Sequence, residues 1–447
     1  DFHIRQDSTI VLRVDSQLVE VADFVPSKDF FEEIIDEICD ERMKKTYKVA
    51  VIGCGNRGTD TAEAYNFHPR VELVGLCDVN QNALNSLGEK LKVKNRYTDF
   101  EKMIDEVSPD IVAIPVMTDS HYQIARRVID KGVNIEVEKP FCMYLEEADI
   151  LISMAKAQGT KIAVHHQSRS GGALDAICET IQKGEIGDIR HIYASGKGYY
   201  GGYGLLNIGT HLISYILRLT GHCRSVVATA TRNGRQIEPK DVFESPRGMG
   251  LITGEKITAT MVFDQGVTAT LLHHRFSEVQ MPASVMEIYG TKGRIYWHRN
   301  FGIWLLRSPH YLPLTENDGH LRSLLHEEQP EVGLWESISP KYPSHYDPVK
   351  FNTGDTFSTA DDYCFVDEYI NALDEGREHE SSGEEGRHVM EIMFGIFESA
   401  AYKTQISLPP INRDHPLARW RHENNLDYPE KMPREYKDWV EEEKKLD

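Results

Sequence analysis

Basic charge is in short supply. The 447-residue chain carries 50 Lys and Arg against 70 Asp and Glu, a net charge of −20. A phosphate-backbone binder needs a basic stripe, so this balance argues against nucleic acid as a partner. The acid surplus favours solubility instead. Long apolar runs are missing too. None approaches the ~18 residues of a membrane-spanning helix, so no membrane partner is expected. Cysteine is sparse: seven residues, at 39, 54, 77, 142, 178, 223 and 364. The odd count, the wide spacing and the lack of a C-x-x-C pair argue for reduced thiols in a cytoplasmic setting rather than a disulfide frame. No signal peptide is visible. Because position 1 is Asp, a removed leader stays open. No internal repeat or low-complexity segment is found.

What is present reads as a soluble globular chain, 40% hydrophobic and 27% charged, and too long for one core. From Tyr47 the pattern alternates strand and helix. Strand-like runs are YKVAVIG, VELVGLCD (71–78), DIVAIPV (110–116), VNIEVEKP (133–140) and KIAVHH, with helical stretches between them. Such alternation predicts a parallel sheet covered on both faces, here a Rossmann domain over 47–166. GCGNRG follows the first strand and opens a helix. Gly53 makes the tight turn, Gly55 lets a pyrophosphate approach, and Gly58 lets helix and strand pack closely. The helix that starts around Asn56 and Arg57 offers free N–H groups to the phosphates. Asp78 ends the second strand, where an acid meets the adenosine ribose. A carboxylate there accepts from the 2′-hydroxyl and repels a 2′-phosphate, so NAD is the expected cofactor. Arg57 or Arg96 folded over the adenine side would weaken that preference.

After about His166 strand-like runs follow one another, several with alternating polarity, as in an antiparallel sheet with one solvated face. The expectation is a second, α+β domain over 167–410. One helical stretch in it, LLNIGTHLISYIL (205–217), sets Asn207, Thr210, His211 and Ser214 on one side and seven aliphatic residues on the other. Asn207 and His211 are four apart and stack on one face. Surface faces normally carry Lys, Glu and Arg. This neutral stripe follows GKGYYGGYG and looks more like a cleft wall.

Four stretches together resemble the Gfo/Idh/MocA family of sugar and polyol oxidoreductases: VIGCGNRG, MTDSHYQIARRVIDKGVNIEVEKP, LLNIGTHLISYIL, and EIYGTKGRI with EEGRHVMEIMFGIFESAAYKTQISLP. The resemblance spans about 47–409. It implies a Rossmann domain followed by a large, mostly antiparallel open sheet, and a homo-oligomer, dimer or tetramer, formed through that sheet's exposed face. It also implies that Lys139, in the triplet Glu138-Lys139-Pro140, meets His211 beside the nicotinamide, with Glu138 at the cofactor. A neutral His suits a proton acceptor, and a cationic Lys stabilises an alkoxide. The implied activity is NAD-dependent oxidation of a secondary hydroxyl of a sugar, glycoside or polyol. A redox-neutral glycosidase, which oxidises the ring transiently on tightly held NAD, is the alternative. Asn207 and Ser214 stand where the family often has Asp, so Asn207 is expected to orient His211 without a full charge. His121 matches a position near the cofactor, or caps its helix. Arg169 and Tyr199, Tyr200 and Tyr203 could line a sugar pocket, or the tyrosines could be packing. The adjacent pairs His165–His166 and His273–His274 point to opposite strand faces, and no metal site is expected.

Outside this core, residues 1–46 read as an arm: a hairpin (TIVLRV-DS-QLVEVA) and an amphipathic helix over 29–43. An aperiodic insertion runs over about 308–358; loops of that length usually serve function or assembly. The tail over 411–447 holds Trp420 and Trp439 among many charges.

Overall fold

The computed structural model describes residues 45–197, 200–274, 285–298, 302–307, 335–348 and 359–433, three short strands within the first 22 residues, and a few positions beyond 433. The first 46 residues form a unit of their own. In it β1 (Phe2–His3), β2 (Ile10–Val14) and β3 (Gln17–Ala22) pair antiparallel, with Val14 opposite Gln17. The helix expected over 29–43 lies outside the described residues.

From Tyr47 a parallel sheet is built of β4 (Tyr47–Ile52), β5 (Val71–Cys77), β6 (Arg96–Tyr97), β7 (Ile111–Ile114), β8 (Asn134–Val137) and β9 (Ile162–Val164). Its strand order is β6-β5-β4-β7-β8-β9. The crossovers are α1 (Asn56–Phe67), α2 (Gln81–Lys90), α3 (Phe100–Val107), α4 (Thr118–Asp130) and α5 (Leu145–Gln158). All four residues of β7 are buried, and so are five of six in β4. Both sheet faces are therefore covered, which is why these strands read as unbroken apolar runs. The order reverses at β4, between β5 and β7, and ligands bind outside the carboxyl ends of strands at such a switch point. Gly53, Asp78 and Lys139 all lie just past strand ends on that side.

After α6 (Gly172–Gln182) comes a second, larger sheet. Its strands are β10 (Ile189–Lys197), β11 (Cys223–Arg232) and β12 (Arg235–Gln236), then, past a small hairpin of β13 (Phe243–Glu244) and β14 (Leu251–Ile252), β15 (Lys256–Phe263), β16 (Thr268–His274), β17 (Val285–Gly290), β18 (Arg294–His298), β19 (Gly302–Leu306) and β20 (Glu336–Ile338). The order is β12-β11-β15-β16-β10-β17-β18-β19-β20, antiparallel except for the parallel pair β10–β16. Here burial alternates along β15 and β16, so one face is solvated, as the polarity pattern predicts. The other face is covered by a helix over Gly201–Thr220, labelled α7, and by α9 (Gly383–Tyr402), which follows α8 (Ala360–Asp374). A short β21 (Ile406–Ser407) pairs with β11. In the tail α10 (Pro416–Glu423) buries Trp420 against the core, with Tyr402 beside it. Trp439 and most of the insertion lie outside the described residues. The fold class expected from the sequence is the one observed.

Candidate active site

The glycine-rich turn takes the shape its residues require. Gly53 has φ +106°, a region closed to other residues. A Cβ on Gly58 would sit 1.9 Å from Gly53 O, so only glycine lets α1 start this close to β4. Beside Gly55 the space is open. Helix α1 begins with no side-chain cap, which leaves its first N–H groups available. The Asp78 carboxylate accepts from Cys54 N at 2.6 Å and Asn80 N at 2.7 Å, tying the second strand's end to the turn. The next residue, Val79, is almost fully exposed. An uncapped helix start, an open glycine edge, an acid and an exposed apolar residue together suit a pyrophosphate, a ribose and an adenine, so these residues fit NAD.

A cleft opens beside Lys139. Lys139, Asn207 and His211 line one part of it, joined by Gln167 and Ser168 from the 3₁₀ turn after β9. Ile208, Leu212, Tyr215, Met286 and Trp297 line the rest. Tyr215 and Trp297 lie with their rings 5.2 Å apart. Polar groups gathered on one side and apolar side chains on the other suit a small molecule that has both kinds of surface.

The helix carrying Asn207 and His211 is longer than expected and is not α-helical throughout. Leu205–Gly209 is a π-helical turn, in which Thr210 N reaches back five residues to Leu205 O. Such turns shift the register by one residue and occur often at functional sites. Asn207 is thereby turned to Lys139, whose Nζ donates to Asn207 Oδ1 at 2.9 Å and to Asn207 O at 3.0 Å. This corrects the expectation that Asn207 orients His211. The His211 ring instead packs edge-on against His166, centroids 5.6 Å apart. His166 is buried and bonds Thr210 Oγ1 at 2.8 Å. Burial strips solvent from the Lys139 ammonium, and Arg57 and Arg247 repel it; these outweigh the pull of Glu138 and bring its pKa down to about 8.

Behind Lys139 runs a chain of charges that the sequence did not reveal. Arg57 donates to Glu138 at 2.8 Å and pairs with Asp60 and Asp362. His165 bridges Asp362 at 2.9 Å and Glu136 at 2.6 Å, and Tyr65 donates to Glu136. Burial disfavours the His165 cation, yet Glu136 and Asp362 raise its pKa to about 10. Glu138 loses solvent as well, but Arg57 and His165 hold its pKa at about 2. Arg57 and Glu138, expected at the cofactor, are thus bonded to protein partners. His121 is fully buried, its ring against the carbonyls of Pro140, Phe141 and Val116, where it braces the segment after Lys139.

Arg169 is not in the cleft. It is buried and donates to Glu380 O, Ser214 O and Glu385. Tyr200 and Tyr203 are buried, and Tyr199 lies outside the described residues. The glycines among these tyrosines have a packing reason: a Cβ on Gly201 or Gly202 would collide with the backbone of Glu255 or Thr253. Gln167, Ser168, Tyr215 and Trp297 were missed by the sequence reading. Gln167 and Ser168 stand directly before Arg169, so the right turn was singled out through the wrong residue.

A profile described as an oxidoreductase family with an NAD-binding Rossmann fold matches residues 47–166, and one described as the GFO/IDH/MocA C-terminal domain matches 175–296. The chain belongs to the Gfo/Idh/MocA family. This oxidoreductase is 23% identical over 266 residues to D-apiose dehydrogenase of Paraburkholderia graminis, covering 56% of this chain and 67% of that one. It is 26% identical over 249 residues to UDP-N-acetylglucosamine 3-dehydrogenase of Acidithiobacillus ferrooxidans, covering 54% and 71%. Among solved structures, levoglucosan dehydrogenase with NADH superposes with a TM-score of 0.64 at 18% identity, covering 82% of this chain and all of that one (100%). An oxidoreductase of Agrobacterium radiobacter with NAD+, L-tartaric acid and magnesium gives 0.63 at 16%, covering 81% and 98%. These two share its fold. As in the family, the cofactor of this Gfo/Idh/MocA enzyme is NAD. Among the described residues no helix is long and apolar enough to cross a membrane.

Proposed function

We propose that the protein oxidises a secondary hydroxyl of a sugar, glycoside or polyol with NAD. The observation that carries this reading is the convergence of Lys139, Asn207 and His211 on one cleft walled by Tyr215 and Trp297. When bound, NAD supplies the hydride acceptor. Gly53, Gly55 and the α1 N-terminus from Asn56 would hold its phosphates, with Gly58 keeping α1 close against β4, and Asp78 would hold its ribose. Asn207 fixes the Lys139 ammonium, which donates to the substrate oxygen and stabilises the alkoxide as it develops. His211 takes the hydroxyl proton. The flat Trp297 and Tyr215 rings suit the C–H face of a sugar ring, and Gln167 and Ser168 supply hydroxyl partners. The dehydrogenases named above act on sugars or sugar nucleotides, which supports this substrate class. The enzyme works as a homo-oligomer through the solvated sheet face, where Val227 is exposed on β11.

The test is incubation with a panel of free sugars, glycosides and polyols, with and without NAD, following NADH and released sugar together. NADH formed in step with oxidised substrate supports the reading. Sugar release without NADH would replace it with redox-neutral cleavage.

A further inference from the structure

None of the residues in a second cluster lines the cleft. His68 caps the C-terminal end of α1, Asp367 lies midway along α8, and His345 is on the segment after β20. His68 Nε2 and His345 Nε2 lie 3.1 and 3.0 Å from the same oxygen, Asp367 Oδ1. The three ligand atoms are all within 4.8 Å of one another. We propose that His68, His345 and Asp367 form a divalent-cation site, suited to Zn²⁺, that fastens the segment after β20 to the Rossmann domain.

The donor set is the first argument. Two imidazoles and a carboxylate match the borderline N/O preference of zinc, and three protein ligands leave a position for water. Geometry is the second. Metal–ligand bonds of ~2.0–2.2 Å in a tetrahedron separate the ligands by about 3.3 Å. The two His–Asp separations already lie within a few tenths of an ångström of that. Support around the cluster is the third. Asp367 Oδ2 accepts from Asn371 Nδ2 at 3.1 Å, which fixes the carboxylate as an outer-shell partner does. One turn earlier on α8, the buried Tyr363 ring packs 5.6 Å from His68 and 5.8 Å from His345. His68 is buried while the His345 side chain is about a third exposed, so an ion enters from the His345 side.

One contact works against the site. His68 Nδ1 accepts from Arg70 N at 3.2 Å, so without an ion Nε2 carries the ring proton and donates to Asp367. Ion capture moves that proton to Nδ1, where it would oppose the Arg70 N–H, so the ring has to turn slightly away and this long hydrogen bond is given up. One long hydrogen bond is a small loss beside a metal–imidazole bond.

The 447-residue chain would be stripped with a chelator and titrated with Zn²⁺ by calorimetry and with Co²⁺ by visible absorption. The expected result is about one equivalent bound, with the strong absorption of tetrahedral Co²⁺. His345→Ala, on an exposed segment, should weaken binding by more than the ~10–100-fold typical of losing an outer-shell partner. Asp367→Asn should do the same, and His222→Ala, outside the cluster, should change nothing. NAD binding by each variant reports that it is folded, and it is independent of this site. No stoichiometric binding, or binding that survives both His345→Ala and Asp367→Asn, would overturn the proposal.

Discussion

Lys139 Nζ donates to both oxygens of Asn207, the backbone carbonyl and the side-chain amide. The amide thus serves the lysine rather than the histidine four residues on. A neutral partner orients an ammonium without supplying a counter-charge, and burial keeps the pKa near 8. The lysine is therefore cationic at neutral pH but within reach of deprotonation.

This sets the alkaline limb of activity. If the Lys139 cation stabilises the alkoxide, kcat/KM should fall as pH rises through about 8. Asn207→Asp places a carboxylate on the same Nζ and should raise the lysine pKa, moving that limb upward by about 1–2 units. A pH–rate profile of both enzymes checks this. An unmoved limb would separate Lys139 from the titration.

The same shift acts on stability. The folded pKa is about 8 and the unfolded value 10.5. Between them the unfolded chain binds more protons, so this group makes the protein more stable as pH rises from 8 to 10.5. The gain is up to ~3 kcal/mol. Lys139→Met should lose the dependence, so the stability difference between mutant and wild type should shrink across this range in denaturant titrations. A pH-independent difference would contradict the buried-cation description.

At the cofactor end, Asp78→Ala should weaken NAD roughly 10–100-fold, because hydrogen bonds to a charged group are worth ~1.5–3 kcal/mol. NADP should weaken far less. Calorimetric titration with each cofactor measures this, and an equal loss for both would mean that Asp78 acts only by anchoring Cys54 N.

Arg169→Ala should cost stability rather than substrate affinity. It removes a buried guanidinium bound to Glu380 O, Ser214 O and Glu385. A loss of ~2–4 kcal/mol is expected. A lower Tm with an unchanged substrate KM in the folded enzyme is the predicted pattern. A large rise in KM at unchanged Tm would return Arg169 to the substrate site.

How legible each part was in the sequence follows from the range of the physics. Gly53, Gly58 and Asp78 were readable because their reasons are local: a positive φ, a close approach within one turn, and an acid at a strand end. The alternation of strands and helices exposed the parallel sheet in the same way. Lys139 and His211 were paired only through the family resemblance, since 72 residues separate them. The Asn207 contact was missed because a π turn changes which side the residue faces, and composition does not signal a π turn. Arg169 looked like a ligand group because its partners, Ser214, Glu380 and Glu385, are distant in sequence. Trp297 and Tyr215 were hidden inside ordinary apolar patterns, and the Arg57–Asp362–His165–Glu136 chain joins four separate elements.

The central claim is that His211 takes the substrate proton beside Lys139. It is tested most directly by NADH formation in His211→Ala at saturating NAD and substrate, with NAD affinity measured on the same preparation. A general base is worth ~10²–10⁴-fold in rate. The account predicts a fall in kcat of that size with NAD affinity unchanged. Near-normal turnover in His211→Ala would contradict it.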